Sequence, residues 1–89
     1  MITCDDTGCR IGGAVTVDTV GGLLRELQPH LAKGIAILDF SAVEAADSAA
    51  LALIFSAMRQ RGGTLACSGL PASFTTLAEL YGVADLLPT

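Results

Sequence analysis

Residues 35–61 of the chain read IAILDFSAVEAADSAALALIFSAMRQR, and these residues predict the central part of the fold. The apolar run from Ile35 to Phe40 is typical of a central strand that is covered on both faces of its sheet. Residues 41–46 are predicted to form a loop. Asp47 or Ser48 then begins a helix whose apolar residues recur at helical spacing. A strand, a short loop and an apolar helix together predict an α/β unit.

The residues before this unit predict a hairpin and a first helix. Residues 1–4 and 9–12 are short extended candidates, and the Asp5-Asp6-Thr7-Gly8 segment between them has the composition of a hairpin turn. A leucine-rich helix follows from Asp18 or Thr19 and ends at Gly34. We expect a kink or break at Pro29 within this helix, because proline has no N–H to donate to the preceding turn.

The residues after the unit predict one more strand and one more helix. Residues 64–68 read as a strand, and residues 72–80 as a helix with Leu77 and Leu80 on its buried side. Residues 83–87 are predicted to form a short closing helix or strand. Strands that alternate with helices favour right-handed crossovers and parallel pairing. We therefore expect one α/β domain over residues 1–89, with helices packed on a mixed, mostly parallel sheet of four or five strands and an N-terminal hairpin.

Composition limits the classes of partner. The chain has 89 residues, of which 52% are apolar and 16% charged, and its net charge is −4. The dispersed basic residues exclude the basic stripe that binds nucleic acid or anionic lipid. No apolar run is long enough to span a membrane, and the N-terminus does not resemble a signal peptide, so we expect a cytoplasmic location without direct membrane insertion. The surplus of aliphatic residues indicates a docking surface.

The sequence contains no motif for catalysis or for a cofactor. His30 is the only histidine, and we expect it to lie on the other side of the fold from Asp47 and Ser48, so no catalytic triad is indicated. The cysteines Cys4, Cys9 and Cys67 would form a metal site with His30 only by coincidence in three dimensions. We therefore predict reduced, half-buried thiols, no metal, no cofactor and no enzymatic activity.

The start of the second helix is the most informative functional feature. A hydroxyl or carboxylate at this position commonly caps a helix, and that structural role alone accounts for Asp47 and Ser48. An exposed serine at a helix N-terminus is also a contact or modification point, because a phosphate there would add up to about two negative charges. The residues by themselves favour the cap.

A resemblance to a known family favours the interpretation of Ser48 as a contact or modification point. Residues 37–53, with a hydrophobic strand that ends in Asp39 and an Asp47-Ser48-Ala49-Ala50-Leu51 segment that opens a helix, resemble the core motif of STAS domains. These domains include the bacterial anti-sigma-factor antagonists and the cytoplasmic ends of sulfate transporters. The C-terminal residues 70–74 and 77–83 are similar to the MlaB branch, whose members are subunits of phospholipid-transport ABC complexes. At the position where members of the family usually have glycine, this chain has Ala50.

The resemblance implies a function and a site. The chain would be a non-enzymatic interaction domain that binds and regulates the ATPase subunit of an Mla-type ABC complex, and it would lie at the periphery of the inner membrane through that complex. The alternative is an anti-sigma-factor antagonist, whose partner kinase would phosphorylate Ser48. Either function implies a partner-binding surface that comprises Asp47, Ser48, Ala49, Ala50 and Leu51.

Overall fold

The computed structural model describes residues 1–62 and 65–83, which contain four strands and three helices. In chain order these elements are β1 (Ile2–Cys4), β2 (Gly8–Val15), α1 (Val20–Ala32), β3 (Ile37–Ala46), α2 (Ala49–Arg61), β4 (Ala66–Ser68) and α3 (Ala72–Leu80). The strands form one sheet in the order β1-β2-β3-β4. β1 pairs with β2 in antiparallel orientation, and the other two pairings are parallel. The predicted mixed, mostly parallel sheet with an N-terminal hairpin is confirmed.

The core lies between one face of the sheet and the helices. Because side chains alternate along a strand, Cys9 and Ile11 of β2 share this inner face with Leu38 and Phe40 of β3. The helices contribute a second layer of buried side chains, which comprises Leu23, Leu27 and Leu31 of α1, Ala50, Leu53, Ile54 and Ala57 of α2, and Phe74 of α3.

The outer face of the sheet carries polar and partly exposed side chains. Thr3, Arg10, Asp39 and Ser68 lie next to each other in adjacent strands, and Ile37 is 42% exposed. The expectation that the central strand is covered on both faces is therefore wrong for the described residues. Ile37 is apolar although it lies on the uncovered face, so the unbroken apolar run did not indicate that both faces are covered.

One local prediction about the chain path is also wrong, and another is wrong in part. Residues 41–46 are not a loop, because they extend β3 and pair with β2 as far as the Val15–Ala46 pair. Of the kink or break predicted at Pro29, the break does not occur, because α1 continues to Ala32. Pro29 and Arg25 are both exposed, so water can satisfy the Arg25 carbonyl that has lost its helical donor.

The bounds of α3 agree with the sequence prediction, but its buried face agrees only in part. Phe74 and Ala78 are fully buried and the predicted Leu77 is half-buried, whereas Leu80 is 76% exposed. The Phe74 ring contacts Phe40 of the central strand, with the ring centroids 5.4 Å apart, and this contact selects the face that turns inward. The predicted closing element at residues 83–87 falls largely outside the described residues.

The structure corrects the prediction for two of the three cysteines. Cys4 and Cys9 are directly opposite each other in the hairpin and form a disulfide, so they are not reduced thiols. Cys67 is a free thiol, as expected, but it is buried rather than half-buried. The predicted hairpin already placed Cys4 and Cys9 on either side of its turn, but the odd number of cysteines and the expected cytoplasmic location favoured reduced thiols.

Asp39 links the central strand to β2 on the outer face of the sheet. Its carboxylate accepts the Ser41 backbone N–H at 2.9 Å, and the Arg10 guanidinium lies 3.3 Å away. The Ser41 hydrogen bonds, and secondarily Arg10, lower the pKa of Asp39 from its ordinary value of 3.8. The charged form is therefore favoured in the folded state.

We expect Asp39→Asn to lower the free energy of unfolding at pH 7 by about 1 kcal/mol, because the neutral amide is a weaker acceptor. A lowered folded-state pKa contributes stability above the unfolded pKa and loses it as the pH falls through the folded value. Urea unfolding at pH 7 and at stepwise lower pH tests this. The gap between wild type and variant should close below about pH 4, and a gap that is constant with pH would contradict the assignment.

Candidate functional site

The carboxylate of Asp47 holds the start of α2. It accepts the backbone N–H of Ala49 at 2.8 Å and the backbone N–H of Val17 at 3.1 Å. The Asp47 N–H donates in turn to the Val15 carbonyl at 3.3 Å. Asp47 therefore satisfies a free donor of the first helical turn and ties α2 to the segment that leads into α1.

Ser48 is exposed, and its hydroxyl makes no capping hydrogen bond to the helix. The sequence left open which of the two residues caps α2, and the geometry assigns this role to Asp47. The Ser48 backbone carbonyl still accepts the Leu51 N–H at 3.1 Å, so the residue is fixed in position. Its hydroxyl is thus available at a defined place on the surface.

The other residues of the predicted partner-binding segment differ in exposure. Ala49 is half-buried, Leu51 is 5% exposed, and Ala50 is fully buried. The Ala50 methyl group packs in the core, so the replacement of the family's usual glycine does not place a methyl group on the surface. Within the segment, Ser48 offers the most accessible side chain.

A shallow apolar groove of about 330 Å³ lies beside Ser48. Its lining residues are Ser48, Leu51, Phe55, Tyr81 and Val83. The first three lie on successive turns of one face of α2, and the last two follow α3. Sequence reasoning missed Tyr81 and Val83 because their proximity to Ser48 depends on how α3 packs against α2. The signal that was present in the sequence is the unusually apolar composition of α2.

One of the exposed large apolar side chains, Tyr81, lines this groove. Among the described residues, the large apolar side chains that are exposed are Met1, Val17, Ile37, Leu80 and Tyr81. Tyr81, which is 58% exposed, lines the groove, and Leu80 precedes it. Val17 is 73% exposed and is bonded through its backbone to Asp47. An exposed apolar side chain beside an apolar groove favours an interaction site.

We expect Asp47→Ala to lower the free energy of unfolding by about 1–2 kcal/mol, because it removes two hydrogen bonds to backbone donors at the start of α2. Thermal unfolding followed by circular dichroism measures the change. The exposed Glu44→Ala is the matched control on the preceding strand and should change stability by less than about 0.5 kcal/mol. Equal effects of the two substitutions would contradict the capping role of Asp47.

His30 and Ser48 lie at opposite ends of the molecule. The Cys9–Leu38 pair stands near the beginning of the parallel β2–β3 ladder, next to His30, and the Val15–Ala46 pair stands at its end, next to Ser48. Six residues of strand separate the two pairs, which is roughly 20 Å. His30 therefore cannot serve as a base for the Ser48 hydroxyl. In the described residues, no helix has the length and apolar character needed to cross a membrane.

Comparison with known proteins agrees with this fold. A solved structure described as the anti-sigma factor antagonist SpoIIAA in its unphosphorylated form superposes with a TM-score of 0.69 at 10% sequence identity. The match covers 98% of this chain and 84% of that chain. No curated protein matches the sequence significantly. A family model described as "Mlab, STAS domain" matches residues 3–88. Because this match spans nearly the whole chain, the protein belongs to the family of MlaB-type STAS domains.

Proposed function

We propose that this STAS domain is a non-enzymatic module that binds and regulates the ATPase subunit of a phospholipid-transport ABC complex. The observation that carries the proposal is the exposed Ser48 hydroxyl beside the apolar groove. The family match to MlaB-type domains supports this choice of partner. The domain would work in the cytoplasm, at the periphery of the inner membrane, through its partner.

The chemistry of the surface is suited to a protein partner. Tyr81 offers a broad apolar ring with a hydroxyl group, and such side chains are enriched at protein interfaces. Ser48 adds one hydrogen-bonding group at the rim. Asp47 is engaged by two backbone donors, so its role there is to hold the helix start rather than to contact the partner.

Regulation would follow from selective binding. If the domain binds one conformation of the ATPase more tightly than another, it raises the population of that conformation. ATP hydrolysis by the complex then depends on the domain although the domain takes no part in the reaction. Removal of the domain should lower the ATPase activity of the complex.

A tagged chain, purified from its native host and analysed by mass spectrometry, tests the proposal. The expected result is co-purification of an ABC-type ATPase and its permease. Recovery of a sigma-factor regulator in their place would overturn the proposal in favour of the second function.

The second candidate function is that of an anti-sigma-factor antagonist controlled by phosphorylation of Ser48. The free hydroxyl of Ser48 and the fold similarity to SpoIIAA favour it. A phosphate at this position would place about two negative charges beside an apolar groove, which disrupts a docked partner. Incubation with ATP and a candidate kinase, followed by intact mass measurement, distinguishes the two functions through the addition of one phosphate.

A further inference from the structure

The fold brings the side chains of Cys4, Cys9 and His30 together at the hairpin end of the molecule. The two Sγ atoms and a ring nitrogen of His30 all lie within 4.8 Å of one another. Thiolate sulfur and imidazole nitrogen are the preferred ligands of zinc in proteins. We propose that reduction of the Cys4–Cys9 disulfide opens a site in which Cys4, Cys9 and His30 bind one Zn²⁺ ion.

The backbone of the two cysteines is fixed before any metal binds. Cys4 and Cys9 form a direct cross-strand pair in β1 and β2. The turn between them is stabilised by the Asp5 carboxylate, which accepts the backbone N–H groups of Thr7 at 2.8 Å and Gly8 at 3.0 Å. These bonds persist when the disulfide is opened, so the two sulfur atoms stay near each other.

The backbone of His30 is fixed independently. Its carbonyl accepts the N–H groups of Lys33 at 3.1 Å and Ile35 at 3.3 Å, where α1 ends. Leu27 and Leu31 on the same helix are buried in the core. This packing holds the last turn of α1 against the hairpin, which places the imidazole beside the two cysteines.

The distances and the charge both suit zinc. With Zn–S bonds of about 2.3 Å and Zn–N bonds of about 2.0–2.1 Å, donor atoms in a tetrahedral site lie roughly 3.5–3.8 Å apart. Rotation of partly exposed side chains such as Cys4 and His30 is sufficient to reach these separations. Two thiolates neutralise one Zn²⁺ ion, so the complex adds no net charge beside the buried Cys9.

The fourth coordination position remains open to water or to an external ligand. Cys67 cannot fill it, because Leu38 of β3 lies between Cys9 and Cys67 in the ladder. Two strand spacings separate these cysteines, which is about 9.5 Å. Burial also raises the pKa of the Cys67 thiol to about 12. A three-residue site with one open position results.

The redox step requires a thiol reductant. Two equivalents of a small thiol break the Cys4–Cys9 S–S bond by thiol–disulfide exchange. The two protein sulfur atoms each gain one electron and one proton, and the small thiol is oxidised to its disulfide. Zn²⁺ then binds the two cysteines as thiolates and displaces both protons to solvent. A small-molecule disulfide reverses the sequence: it oxidises the two cysteines to the Cys4–Cys9 disulfide, is itself reduced to two thiols, and Zn²⁺ is released.

Metal titration of the full chain tests the proposal. The protein is reduced with excess dithiothreitol, transferred without oxygen into thiol-free buffer, and titrated with Zn²⁺ or with Co²⁺ as a spectroscopic probe. We expect one metal ion per chain by native mass spectrometry, thiolate-to-cobalt charge-transfer absorption, and no binding by the oxidised protein. Absence of metal from the reduced wild type would overturn the proposal.

Matched variants separate this site from adventitious thiol binding. Cys9→Ser should abolish the charge-transfer band, and His30→Ala, which alters only a half-buried side chain, should weaken Zn²⁺ binding at least tenfold. Cys67→Ala is the control and should leave the stoichiometry and affinity unchanged. Undiminished affinity in His30→Ala, or lost binding in Cys67→Ala with native circular dichroism, would contradict the assignment. The proposed metal site lies away from the proposed partner-binding end of the molecule. Failure of the metal titration and failure of the ATPase pull-down can therefore be distinguished.

Discussion

Ser48→Arg should weaken binding of the domain to its ATPase partner at least tenfold. A long cationic side chain would replace a small hydroxyl at the rim of the groove formed with Leu51 and Tyr81. The introduced side chain would overlap with the docked partner and bring an unpaired charge to the interface, and about 1.4 kcal/mol of such a penalty already corresponds to a tenfold change in the dissociation constant. Isothermal titration of the purified domain into the purified ATPase subunit measures the effect.

The control for this substitution is Ser68→Arg. Ser68 is exposed on the outer face of the sheet, and its neighbour in the ladder is Asp39, which tolerates a nearby cation. The affinity of Ser68→Arg for the ATPase should equal that of the wild type. A cation near the N-terminus of α2 costs only about 0.3–1 kcal/mol of stability, so Ser48→Arg remains folded. Wild-type affinity in Ser48→Arg would exclude the proposed surface.

Phe74→Ala should produce the largest loss of stability, about 3–5 kcal/mol in the free energy of unfolding. Phe74 is fully buried and contacts the Phe40 ring, and it anchors α3 to the sheet. The same helix leads into Tyr81, so its detachment also removes one wall of the groove. Urea unfolding at neutral pH measures the stability, and the titration described above measures the accompanying loss of affinity.

Thr75→Ala is the control on the adjacent, exposed position of α3 and should change the free energy of unfolding by less than about 0.5 kcal/mol. If the free energy of unfolding of Phe74→Ala fell by less than about 1 kcal/mol, the contact between Phe74 and the sheet would not be what holds α3 in place. The position of Tyr81 in the groove would then not depend on this contact.

The sequence was sufficient to predict the order of elements and the start of α2. Regular hydrophobic spacing marks the helices, and Gly62, with a left-handed backbone, ends α2 as its sequence indicates. The extension of β3 through residues 41–46 could not be predicted, because these residues depend on backbone partners from β2 rather than on their own composition. Strand formation there is a tertiary effect.

The site was predictable only in part, for a related reason. The Asp47-Ser48 segment is contiguous and carries a family resemblance, so the sequence alone indicated it as a candidate partner surface. Tyr81 is more than thirty residues away in the chain, and only the packing of α3 on α2 brings it beside Ser48. The Cys4–Cys9–His30 cluster likewise requires the register of the hairpin and the end of α1 together.

Docking of the ATPase at the Ser48 end of the domain can be tested by hydrogen–deuterium exchange of the domain, alone and in complex with the ATPase subunit, because docking slows amide exchange where the surface is covered. We expect slower exchange at residues 48–55 and 80–83, with no change in the hairpin at residues 2–11. Slower exchange confined to the hairpin, or none at the start of α2, would contradict it.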